Sequence, residues 1–209
     1  MKIYSYVIVR DYGFAPNPFN GLCTLATCKA DIRQNANVGD WIIGTGGKDI
    51  AGSDGDFEGK LVYAMRVDEK LTYNQYWEDS RFELKKPVIN GSLVQMYGDN
   101  IYHKENDIWI QQNSHHSNED GSPNSVNIAR DTKSSFVLVS ENFYYFGRLA
   151  RKLPEQLHES FLKKGQGYKT ITNFEEINSF LDWLSKFEMG IHADPISFNE
   201  NFERYSYNE

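Results

Sequence analysis

The chain has little cysteine, no excess of positive charge and no long apolar run. Only Cys23 and Cys28 occur among its 209 residues, which excludes a disulfide scaffold and points to reduced thiols in a cytoplasmic protein. A membrane span needs about 18 consecutive apolar residues, and nothing of that length is present, so no membrane partner is expected. Residues 1–13 carry Lys2 and an apolar stretch, but Tyr4, Ser5 and Tyr6 interrupt it and no small-residue cleavage site follows. They read as a first strand, not a signal peptide. Lysine and arginine number 22 against 29 acidic residues, a net charge of −7. A long duplex needs a phosphate-neutralising face. Only the first fifty residues, with five basic and four acidic groups, escape the acidic balance.

Several motifs are also missing. GxxxxGK[ST], HExxH, GxSxG and a strand-bound GxGxxG are all absent, which removes the common nucleotide-hydrolysing and zinc-protease sites. Gly44-Thr45-Gly46-Gly47 is nearest to a phosphate loop, but it falls inside a hairpin and reads as a flexible turn. The spacing of Cys23 and Cys28 and the adjacency of His115 and His116 argue against zinc. On an alternating strand the two cysteines would face opposite sides, and buried free thiols are the better reading. No metal and no cofactor are expected.

Aromatics are abundant: 13 Phe, 13 Tyr and 4 Trp. Tyr and Trp pair a flat face with a polar handle, so a planar ligand becomes worth weighing. Residues 3–9 (IYSYVIV) read as a strand. The loop DYGFAPNPFNG (11–21) has φ fixed at Pro16 and Pro18 yet holds Tyr12, Phe14 and Phe19, so it needs a core to dock on or a ligand to cover. Residues 22–36 read as a strand running into a short helix, and Val38-Gly39-Asp40 as a turn into the strand Trp41-Ile42-Ile43-Gly44. The glycine-rich span 44–59 then connects to a returning strand at 61–67. Thr72-Tyr73-Asn74-Gln75 is a capping box. Short strands are expected at 94–97, 101–102 and 108–110, a polar loop over 113–127, and a last strand at 136–139. Beyond Pro154 the pattern turns helical, with a second capping box at 172–175 and apolar residues from Phe174 to Phe187 at helical spacing.

The most chemical-looking segment is Asn113-Ser114-His115-His116-Ser117. A loop histidine with Asp99 or Asp131 as orienting carboxylate could do general acid–base work, although loop histidines are commonly solvated or locally bonded. Asp99 and Asn100 could equally cap a turn.

A strand, an aromatic Pro-rich loop, a short helix, a GD turn into a strand, a glycine-rich hairpin and a Tyr/Trp helix follow one another in an order similar to that of the PUA-like superfamily. That superfamily includes the EVE, YTH and ASCH domains, whose barrel pocket takes a single base or modified nucleotide. DYGFAPNPF (11–19), LATCK (25–29) with Arg33, VGDWIIGTG (38–46), MYGDNIY (96–102) and VLVSENFYYFG (137–147) more closely resemble the bacterial and phage family of nucleotide modification associated domain 2. The resemblance implies modified nucleotides and no particular reaction.

The expected fold is therefore α+β: a mostly antiparallel PUA-like β-barrel over residues 1–150 with peripheral helices, a C-terminal helical appendage at 151–190 packed on it, and an acidic, partly ordered tail at 191–209. Tyr12, Phe14, Phe19, Trp41 and Tyr97 would offer π-faces, worth roughly 1–3 kcal/mol per stacked base. Asp11, Asn17, Asp99 and Asn100 would read polar edges, Lys29 and Arg33 would hold one phosphate, and Thr45 would line the same mouth. The function expected first is recognition of a nucleotide or single flipped, modified base, alongside a partner enzyme that performs the modification. The alternative is a hydrolase or transferase acting on the same ligand class, with His115 or His116 as base and Asp99 or Asp131 as orienter. A protein-interaction role is the third possibility.

Overall fold

Alternating β-branched and aromatic runs do form the first strands, but their pairing is not that of a barrel. The computed structural model describes residues 1–198 and 201–205. In chain order the strands are β1 (Ile3–Ile8), β2 (Cys23–Leu25), β3 (Trp41–Gly46), β4 (Lys60–Arg66), β5 (Glu69–Thr72), β6 (Tyr102–Glu105), β7 (Ile108–Gln111), β8 (Phe136–Ser140), β9 (Phe143–Tyr145), β10 (Arg151–Lys152), β11 (Tyr168–Ile171) and β12 (Gly190–Ile191). The α-helices are α1 (Ala30–Asn35), α2 (Tyr73–Glu78), α3 (Leu93–Met96), α4 (Ser125–Asp131), α5 (His158–Phe161) and α6 (Phe174–Leu184).

Two compact units interleave along the sequence. The first comprises Met1–Tyr12, Ala36–Asp68 and Ser140–Phe198, and the second Gly13–Asn35, Glu69–Val139 and Asn199–Glu209.

The first unit is built on a seven-stranded sheet of order β11-β1-β3-β4-β9-β12, with β10 also paired to β4. β1 runs parallel to β3, in register from Ile3 opposite Trp41 to Ile8 opposite Gly46, and β12 runs parallel to β9. This corrects the expected antiparallel PUA-like barrel: the sheet is mixed, and none of the sheets closes. The reason is the connection. A tight turn permits only antiparallel neighbours, whereas the long stretch between β1 and β3 is the crossover that parallel pairing requires. The C-terminal part read as helical also supplies β10, β11 and β12 to this sheet. α6 does form at the predicted apolar stripe, capped by Asn173, whose side chain accepts from the Glu175 and Glu176 amides. Ile177, Phe180 and Leu184 then join Ile3, Ile43, Leu61, Phe146 and Phe161 in one core. Gly44 is required where it stands, because a Cβ there would meet the Tyr63 ring at 2.5 Å. That ring is fixed by its hydroxyl, which donates to Tyr6 Oη at 2.9 Å.

The second unit has a three-stranded sheet of order β2-β8-β5 and the hairpin β6–β7. The hairpin turns at Asn106 and Asp107, both with positive φ (50° and 64°), the residue types that tolerate a primed turn. The Thr72–Gln75 capping box opens α2 as read. Residues 94–97 are not a strand. Ser92 and Gln95 form a second capping box, so Leu93–Met96 is a helical turn. Of the tail expected from residue 191, positions 199–200 and 206–209 lie outside the described residues. No helix among the described residues is long and apolar enough to cross a membrane.

Candidate active site

In the second unit, β2 ends at Leu25 and α1 begins at Ala30, and the turn between them carries Cys28 and Lys29 at φ of 55° and 41°. Left-handed conformations at non-glycine residues cost about 1–3 kcal/mol each and persist only where the surroundings impose them. Arg33 does so here. Its buried guanidinium donates from Nε to the Cys28 carbonyl (2.8 Å), from Nη1 to Tyr73 Oη (2.8 Å) and the Phe136 carbonyl (2.6 Å), and from Nη2 to the Asp131 carbonyl (2.6 Å). One side chain thus ties the Cys28 turn to the last residue of α4.

Three reactive groups meet at that junction. His116 Nδ1–H donates to Asp131 Oδ2 at 2.7 Å, and His116 Nε2 stands 3.9 Å from Cys28 Sγ. Asp131 is fully buried but fully bonded: Tyr102 Oη donates to Oδ2 (3.0 Å) and the Cys28 amide to Oδ1 (2.7 Å). Gln111 Nε2 and Asn127 Nδ2 both donate to the His116 carbonyl (3.0 and 2.8 Å), fixing the base from its backbone side. Burial alone would lower the His116 pKa, but the charge and hydrogen bond of Asp131 override it and raise the value to about 10. Burial alone would raise Asp131, but the His116 charge and hydrogen bond hold its carboxyl below the usual range. A thiol, a base at its side and a carboxylate orienting the base are the constellation of nucleophilic catalysis.

Rings wall the histidines. Phe14 lies 5.0 Å from the His115 ring and 4.8 Å from that of His116, and Tyr97 lies 5.2 Å from His115. The C-terminal segment crosses the same loop: Tyr205 stacks near His115 (6.1 Å, 20°), and its amide donates to the His115 carbonyl (2.7 Å). Arg204 donates to the Ser114 carbonyl (2.7 Å).

Of the four histidine–carboxylate combinations that His115, His116, Asp99 and Asp131 allow, the structure brings together His116 and Asp131. His115 Nδ1–H instead donates to the Glu203 carbonyl. Asp99 accepts from Thr24 Oγ1 and Tyr76 Oη, each at 2.7 Å. Asn17 is buried, accepting from Lys85 Nζ at Oδ1 (2.8 Å) and donating to the Tyr97 carbonyl (3.1 Å). Asn100 donates to the Tyr76 carbonyl (3.1 Å), and Phe19 is largely buried. Lys29 is half-buried beside the thiol, with its pKa lowered by burial and partly restored by Cys28. In the first unit, Tyr12 is buried, Trp41 stacks on Tyr144 (6.4 Å, 30°), and Thr45 donates to the Tyr6 carbonyl (3.4 Å). Asp11 accepts from the Ile196 amide (3.0 Å) and the Tyr145 hydroxyl.

Both cysteines were expected to be buried free thiols; Cys28 is only half-buried and stands beside His116, while Cys23 is fully buried with its thiol pushed up by that burial. Among the described residues no group of three or more His, Cys, Asp and Glu is arranged to hold a metal ion. The family model described as nucleotide modification associated domain 2 matches residues 1–202, and the chain belongs to that family. No curated protein and no solved structure matches the chain.

Proposed function

We propose that the protein is a thiol-dependent acyl-transfer enzyme, a hydrolase or transferase, whose substrate is a nucleotide carrying an ester or amide on a modified base. The alignment Cys28–His116–Asp131 carries the chemical half of this reading. Membership of a family tied to nucleotide modification supports the nucleotide half. In the reaction Cys28 Sγ attacks the acyl carbon, His116 manages the proton between sulfur and leaving group, and Asp131 holds the imidazole in the tautomer that faces the sulfur. Recognition of the modified base belongs to the same reading, with Phe14 and Tyr97 as the aromatic groups nearest the histidines, and a partner enzyme would install the group removed or moved here.

The test is to incubate the full chain with nucleosides bearing base-linked esters or amides and to look by mass spectrometry for an acyl adduct on Cys28. An adduct that turns over is expected. Absence of any adduct with these nucleosides and with a generic activated ester would overturn the reading.

A further inference from the structure

His116 is 1% exposed. An acyl-transfer cycle brings a leaving group and then a water molecule to its imidazole, so with the ring this closely covered an element lying on it has to move. Besides His115, which stacks on it at 5.5 Å, two aromatic side chains lie against the ring: Phe14 at 4.8 Å and Tyr205 at 6.0 Å. Phe14 belongs to a locked loop. In that loop Asn17 exchanges backbone hydrogen bonds with Thr24 (2.8 and 2.9 Å), accepts from Lys85 Nζ (2.8 Å) and donates to the Tyr97 carbonyl (3.1 Å), all of it buried. Tyr205 belongs to an outer layer. Residues 201–205 are half-buried or exposed, while Tyr97, Ser114, His115 and Asn127 beneath them are buried.

This outer segment is fastened to the histidine loop and its supports. The Glu203 amide donates to Tyr97 Oη (3.0 Å), the Tyr205 amide to the His115 carbonyl (2.7 Å), and Arg204 Nη1 to the Ser114 carbonyl (2.7 Å). In return His115 Nδ1–H donates to the Glu203 carbonyl and Asn127 Nδ2 to that of Tyr205 (2.7 Å). We propose that residues 202–205 are an autoinhibitory strap, which keeps substrate and water off His116 while it is down and opens the faces of His115 and His116 when it lifts; the inference rests on the acyl-transfer reading above. Opening leaves the machinery intact. Asp131 still holds Nδ1 of His116, and Gln111 and Asn127 still hold its carbonyl, because none of these bonds passes through the strap. Only the open fraction turns over, and a minor state of this kind is populated at about 0.1–10%.

The experiment compares two reactions at one sulfur. Alkylation by iodoacetamide needs only Cys28 Sγ, on a residue already half-buried rather than closed off; hydrolysis of p-nitrophenyl acetate needs His116 as well, to deprotonate the water that releases the acetyl group. In the full chain, the double variant Arg204→Ala with Tyr205→Ala removes the guanidinium and the ring that hold the strap down. It is expected to raise turnover of the ester roughly 10- to 1000-fold and alkylation only a few-fold, with Cys28→Ser as the background. Arg204→Ala alone replaces the double variant if that one does not fold, with the same direction expected. Turnover at or below the wild-type rate in a folded strap variant overturns the inference, as does an equal rise in turnover and alkylation, which marks a general loosening of the unit. Chains that alkylate at Cys28 but never hydrolyse the ester above background, wild type and strap variants alike, overturn the acyl-transfer reading itself, an outcome distinct from the other two.

Discussion

The second unit buries two carboxylates beside two cations, and they are put to opposite uses. Around Asp99, Thr24 and Tyr76 donate to the carboxyl, and Lys85 donates to Asn17 at both its carbonyl and side-chain oxygens. Burial pushes Asp99 up and Lys85 down, and each is only partly restored by the other. Every member of this cluster is buried, and so is Cys23, whose thiol feels both charges. Around Asp131 the same materials, a carboxylate, a tyrosine and a cation, end on a half-buried sulfur. A closed polar cluster fixes the fold. One with an open end can do chemistry.

Exchanging the two cysteines breaks the comparison most sharply. Cys28→Ser should cut iodoacetamide labelling of the folded chain by at least about 1000-fold, since a hydroxyl beside the same base is a far poorer nucleophile, whereas Cys23→Ser should leave it unchanged, as read by intact-mass kinetics. Next is the orienting carboxylate: Asp131→Asn should slow acylation by roughly 100- to 10,000-fold while leaving a folded chain by circular dichroism. The closed cluster should show the reverse pattern. Lys85→Met leaves the two buried Asn17 oxygens without their donor and should cost about 1–3 kcal/mol in a denaturant melt, with Cys28 alkylation unchanged under native conditions.

A subtler contrast lies in pH. His116 is raised from 6.5 to about 10, so the stability it contributes is fully present below pH 6.5 and lost as pH rises through about 10. The lowered carboxyl of Asp131 contributes above its unfolded value of 3.8 and is lost as pH falls through the folded value. Thermal melts of the wild type and His116→Gln should therefore differ most between about pH 4 and 6.5 and converge toward pH 10. The smallest effect expected is from deleting residues 199–209. Losing Tyr205 and Arg204 from the histidine loop should raise Cys28 alkylation a few-fold, and an unchanged rate would show that the segment does not guard the thiol.

What the sequence disclosed follows the range of the forces involved. The capping box at Thr72–Gln75, the strands at β1, β3 and β4 and the apolar stripe of α6 are written within a few residues, and they were legible. Ser92–Gln95 carried the same signal as Thr72–Gln75, but the apolar residues at 93, 94 and 96 drew attention to a strand. The parallel pairing of β1 with β3 depends on a crossover, and no local pattern records it. Within the site, His116 and Asp131 were foreseen as one of several combinations; Cys28 was not joined to them. It lies 88 residues from His116 and 103 from Asp131. The available signal was a cysteine between a strand and a short helix, in a chain with a histidine and a carboxylate elsewhere. Judging Cys28 only against Cys23, as a metal or disulfide pair, hid it. Arg33 and Asn17 show the converse, since the hydrogen bonds of a side chain read as ligand-facing can be spent inside the protein.

The interleaving of the two units sets a timetable for synthesis. Cys28 leaves the ribosome 88 residues ahead of His116, and Asp131 follows 15 residues later still. At about 5–20 residues per second, the cysteine spends roughly 5–20 seconds as an ordinary thiol on a nascent chain. The Tyr205 segment that lies over the histidines is among the last to be made. Translation thus delivers the sulfur first and its neighbouring imidazole later, so a ribosome that stalls before residue 116 carries a thiol with no base beside it.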